Sequence, residues 1–178
     1  MARRRDVFEF RADEPSPILA RMDLLGRARD GWINLVPSIE PGGPEDSEPP
    51  AGPGQGPRIT LAAVLGSPTP PAIPLCTWMP SPPGRGRGSA GGAGGSSIGI
   101  LHARGRPVMP LLRAEGLDPP GSWRVRQDHQ RRGLVVLVPA AAEPSEILAW
   151  TCRAGGLLCD VRPTGWWVAT VFAPHPDR

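Results

Sequence analysis

The proline and glycine of this chain are crowded into two tracts, and that crowding limits what can fold. The 23 glycines and 25 prolines sum to 48 of 178 residues, a level at which low-complexity segments are expected. Pro37–Arg58 holds 12 of them and Pro80–Gly95 holds 10. Such segments bury too little apolar surface to offset the entropy lost on ordering. The composition therefore predicts a disordered acidic linker over 40–58, with Glu40, Glu45, Asp46 and Glu48, and a disordered Gly/Arg linker over 80–95. The remainder reads as one globular unit: an N-terminal helix and strand over 1–39, a short apolar element and strand over 59–79, and a regular α+β unit over 96–178.

Residues 1–15 are charged and read as loose. "SPILARMDLLGRARDG" reads as a helix, with Ser16 as cap, Pro17 in the first turn, and Ile18, Met22 and Leu25 on one stripe. "WINLVP" and "PLCTW" are short strand candidates, and "ITLAAVLG" (59–66) is ambiguous between helix and strand. From Ser97 the pattern becomes regular. "SIGILHARG" is a strand and "RPVMPLLRAEGL" a short helix with Pro110 in its first turn. "SWRVRQD" and "LVVLVP" are strands joined by the turn "HQRRG". "EPSEILAWTCRAGG" is a helix burying Ile147, Thr151, Ala154 and Leu158, with Trp150 to one side and partly exposed. "GWWVATVFAP" is the last strand. The order β-α-β-β-α-β is that of the ferredoxin-like arrangement.

A ferredoxin-like sheet carries helices on one face, so its strands should alternate apolar with polar. Leu134–Val138 is apolar throughout and Trp166–Phe172 nearly so. The second face is therefore expected to be covered or the sheet extended. The N-terminal strands are the favoured cover, and a second copy of the chain is the other candidate.

All 20 basic residues are arginine, which fits the amino-acid bias of a GC-rich genome better than selection for phosphate binding. Residues 1–83 carry 8 Arg against 10 acids (−2), and 84–178 carry 12 against 7 (+5), giving the net +3. This is far below the density of a dedicated nucleic-acid arm. Cys76, Cys152 and Cys159 form no CxxC pair and suit small core residues. "MARRRDVFEF" has no apolar h-region and no window approaches 18 apolar residues, so a cytoplasmic protein without membrane segments is expected.

Chemistry is sparse. Asp128-His129 lies at the predicted hairpin tip. Neighbours on a strand point to opposite faces, and Asp, His and Gly133 suit a turn, so a turn is the favoured reading over a catalytic pair. His102 ends the first strand of the regular unit. With His129 it is a weak catalytic candidate, requiring a pocket that joins the two. No histidine or cysteine spacing supports a metal, and no cofactor is expected. Gly86–Gly91 matches G-x-G-x-x-G but precedes a strand, and "GRGRG" is too short for an RG-rich RNA-binding segment. Arg132-Gly133 sits where an RNA-recognition motif begins its third-strand signature, but the alternating aromatics are Leu and Val here.

"RARDGWINLVP", "PLCTW" and "SIGILH…GSWRVRQDH..RGLVV.VP" together resemble a family of uncharacterised proteins from high-GC actinobacteria. The resemblance implies no activity and no site residues. The function favoured by the sequence is a non-enzymatic binding or protein-interaction module, in which a homodimer would account for surplus apolar sheet surface. The first alternative is nucleic-acid binding through Arg124, Arg126, Arg131 and Arg132, helped by Arg85 and Arg87. The second is a small enzyme using His102 or His129.

Overall fold

The computed structural model describes residues 4–39, 73–82 and 95–174. Its strands are β1 (Arg4–Arg11), β2 (Trp32–Ile39), β3 (Leu75–Pro80), β4 (Ser96–Leu101), β5 (Arg124–His129), β6 (Gly133–Val138) and β7 (Pro163–Ala173). Its helices are α1 (Ser16–Ala28), α2 (Met109–Ala114) and α3 (Pro144–Leu158). The strands form one sheet in the order β1-β7-β2-β3-β4-β6-β5, with every neighbouring pair antiparallel. The molecule is thus α+β. The linkers expected over 40–58 and most of 80–95, the 59–66 element, Arg85 and Arg87 lie outside the described residues.

Side-chain alternation gives the sheet two unlike faces. One face buries Leu35, Cys76, Ile100 and Leu134 in a single row across four strands, each paired with the next. A parallel row joins Val171, Ile33, Trp78, Ile98 and Val136, all buried. Helices α1 and α3 pack together on this face. Ile18, Met22 and Leu25 of α1 are buried, and so are Ile147, Thr151, Ala154 and Leu158 of α3. Full burial of each large aliphatic side chain contributes about 1.5–3 kcal/mol. Each helix has proline in its first turn, where the missing N–H breaks no helical bond. The cap before α1 is Pro15, one residue earlier than the Ser16 expected.

The strand order corrects the ferredoxin-like expectation. That arrangement would set β7 directly beside β4, as β7-β4-β6-β5. Here β2 and β3 stand between them. Ile33 and Leu35 match the register of β7, while Cys76 and Trp78 match that of β4. The N-terminal strands therefore widen the sheet and leave its second face without a described element packed on it. Periodicity marks which residues of a strand are buried and says nothing about which strands become neighbours.

Two smaller corrections follow from the same packing. Residues Arg4–Arg11 are not loose but form β1, which buries Phe10 and pairs along β7 from Arg4↔Ala173 to Arg11↔Trp166. Its alternating charges disguise a strand whose apolar members are only Val7, Phe8 and Phe10. Trp150 is buried rather than exposed to one side. Its ring meets Trp123 edge-on at 5.6 Å, and its indole N–H donates to the Leu117 carbonyl at 3.2 Å.

Candidate functional site

One face of the sheet has no described element packed on it. Register places Val7, Thr170, Asn34, Thr77, Gly99, Val135 and Gln127 in one row that crosses all seven strands. Its central members are small, and nothing lies within 4 Å of where a Cβ on Gly99 would sit. Bulky side chains flank the row. On one side stand Phe172 and Trp32, their rings stacked at 4.7 Å, with Met79 and Leu137 further along. On the other side stand Val168, Val36, Leu75 and Leu101. The face is thus a shallow trough between two apolar ridges. Met79 is 43 % and Leu101 51 % exposed. Within the trough the Thr77 hydroxyl donates to Asn34 Oδ1 at 3.0 Å. Charge appears only on the edge strands, where Glu9 pairs beside Val168 and Arg124 beside Leu137.

The titratable candidates are split between the two faces. Asp128 shares the helix face with Leu134, whereas His129, one residue on, pairs with Gly133 across the other. The two do not cooperate. Both Asp128 oxygens accept backbone hydrogen bonds, from Val108 N–H at 2.8 Å and Met109 N–H at 2.9 Å. They hold the start of α2 against the sheet, where a carboxylate also suits the helix dipole. His129 Nδ1 accepts from the N–H groups of Arg131 and Arg132, at 3.1 and 3.3 Å. That is turn chemistry. Gly133 closes the turn at φ 76°, and a Cβ there would run into the Ile100 carbonyl.

His102 follows the end of β4, is 6 % exposed, and has no hydrogen-bond partner for either ring nitrogen. Burial holds its pKa below the ordinary value, with the Asp128 charge opposing that shift and Arg104 adding to it. Arg104 itself caps the end of α3, donating to the carbonyls of Leu157 and Cys159 and pairing with Asp160 at 3.2 Å. His102 is thus enclosed in the core, while His129 is engaged in the hairpin turn. Cys76, Cys152 and Cys159 are free and buried. Burial pushes the Cys152 thiol up to about 12 and the Cys76 thiol higher still, so neither supplies a thiolate nucleophile at neutral pH. Among the described residues no group of three or more His, Cys, Asp and Glu could hold a metal ion.

Arg124, Arg126, Arg131 and Arg132 are exposed on the outer strand and its turn. They share one edge of the sheet rather than a groove. The sequence did not signal a further feature, a cleft of about 380 Å³ where α1 and the start of α3 overhang the ends of β3, β4 and β6. Its residues come from four separate stretches of the chain, 22–29, 78–81, 95–96 and 139–147, and only the fold brings them together. No helix of the described residues is long and apolar enough to cross a membrane. No family model, curated protein or solved structure matches the chain.

Proposed function

We propose that this chain is a non-enzymatic interaction module that pairs with a second copy of itself through the open face of its sheet. The observation that carries this reading is the trough-and-ridge relief of that face, with apolar ridges on either side of a row of mostly small, uncharged residues and no charge at its centre. Two such faces related by a two-fold axis set ridge into trough, and an isologous contact of this kind closes at the dimer. Sheets pack face to face about 10 Å apart with interdigitated side chains. Seven strands at about 4.8 Å spacing and roughly 20 Å of strand length give a projected face of about 600 Å² before side-chain relief is counted. That approaches the roughly 800 Å² per partner of a standard stable interface. The Thr77–Asn34 bond and those from Gln127 Nε2 to the Arg132 and Gly133 carbonyls satisfy part of the row's polar groups within the monomer, which lowers the cost of desolvating them.

Gly99 offers the test. A side chain there meets open space within the monomer but fills the trough. Light scattering on the wild-type chain should give twice the 18.9 kDa chain mass. Gly99→Arg should give the monomer mass with an unchanged circular dichroism spectrum. A wild-type monomer at tens of micromolar, or a Gly99→Arg variant that still dimerises, would sink the reading. A wild-type peak rich in 260 nm absorbance that salt strips away would transfer the function to Arg124, Arg126, Arg131 and Arg132, because phosphate contacts weaken steeply with salt.

A further inference from the structure

His102 and Asp128 sit at one end of the sheet, and the protonation of one bears on the hydrogen bonds of the other. Ile100 and Asp128 share a row across the sheet, each paired with Leu134, and His102 follows Ile100 by two residues. Asp128 is fully committed. Its two oxygens accept from Val108 N–H and Met109 N–H, where the 102–108 loop enters α2. Val108, at the N-cap of α2, has no side-chain oxygen to cap the helix, so the cap comes from β5 instead. His102 is buried with neither ring nitrogen partnered. A neutral imidazole can stay so. An imidazolium cannot, because it carries two N–H donors and a charge, and a buried charge needs a partner. Two charges act on the ring. Asp128, from β5, favours its protonated form, and Arg104, from its own loop, opposes it. Arg104 is anchored at the end of α3 by the Leu157 and Cys159 carbonyls and by Asp160. His129 is on the other face, engaged in its turn. The acid that faces a protonated His102 is therefore the one that holds α2.

We propose that α2 is held by an acid-sensitive latch: when His102 takes a proton from solvent, Asp128 transfers its hydrogen bonds from the Val108 and Met109 N–H groups to the imidazolium, and the start of α2 comes free. The helix has only six residues, too few to persist without its attachments. The loop before it has a pivot in Gly105, at φ 64° with nothing within 4 Å of where a Cβ would sit. The released segment carries Met109 and Leu112, both buried while the latch is shut, so opening presents apolar surface. Burial keeps the ring's pKa below 6.5, so the latch is shut at neutral pH and opens on the acid side.

The test is a pH titration of the isotopically labelled full chain between pH 7.5 and 5, following the His102 ring and the Val108 and Met109 amides. Both amide signals should move upfield with the midpoint of the ring, and their protection from hydrogen exchange should fall about tenfold, the effect of losing one hydrogen bond to a charged group. In His102→Leu both amides should hold their neutral-pH positions throughout. Asp128→Asn, which removes the charge and keeps an acceptor, should lower the midpoint of His102 and uncouple the amides from it. Four results would overturn the latch: a His102 ring that stays neutral to pH 5, amides that stay fixed while the ring titrates, amides that titrate alike in His102→Leu, or a His102 midpoint unmoved in Asp128→Asn.

Discussion

Among the described residues, His102 is the one with two buried side-chain polar atoms that lack a partner. Burial disfavours the charged imidazole, so its pKa sits below the ordinary 6.5. The unfolded chain therefore takes up this proton first as pH falls. Stability should be full above about pH 6.5 and decline as pH drops from there through the folded-state pKa, since the unfolded state binds more protons in that window. Urea midpoints measured between pH 5 and 7.5 should fall toward acid for the wild type, and His102→Leu should remove much of that slope. A slope unchanged in the variant would assign it to other groups. Asp128 illustrates the opposite economy, with both oxygens engaged by the backbone of α2. The sequence presented Asp128 and His129 as neighbours. Strand alternation separates them, and each serves local structure.

At the scale of the element, α3 rests close on the sheet because of one glycine. A Cβ on Gly155 would stand 2.7 Å from Cys76 Sγ and 3.0 Å from the Trp167 ring. Gly156 has only Pro163 nearby, at 3.9 Å. Alanine at either position recovers up to about 1 kcal/mol of helix propensity. At Gly155 the overpacking cost of about 1–3 kcal/mol outweighs it, whereas at Gly156 nothing opposes it. Gly155→Ala should therefore lower the denaturation midpoint and Gly156→Ala should hold or raise it. A matched response would contradict the packing described. Helices and interior strands were legible because their apolar spacing follows 3.6 or 2 residues. β1 was not, because an edge strand buries little and its arginines dominate the pattern. The trough was legible only as a surplus of apolar residues in β6 and β7. The cleft was not legible, since Arg29, Trp78 and Pro139 share no local pattern.

For the whole molecule, the decisive fact is that β7 has β1 and β2 as its neighbours, both from the other end of the chain. The 96–178 segment has the β-α-β-β-α-β order of a self-sufficient unit, yet its last strand finds its partners outside it. Expressed alone, that segment should lack a cooperative unfolding transition by circular dichroism, whereas the full chain should show one. A cooperative transition in the fragment would mean that β7 can move across to β4 and restore the simpler order.

The same adjacency bears on how the protein is made. β1 ends at residue 11 and β7 begins at residue 163, so 151 residues are synthesised between them. At about 5–20 residues per second, the ribosome takes roughly 8–30 s to deliver the second strand after the first. Through that interval β1 has no strand to pair with, and β2 presents an open edge on the side that β7 will fill. Exposed edges recruit other chains. The arginines and acids that hid β1 from a reading of the sequence are also what keeps a waiting strand from pairing with the wrong neighbour.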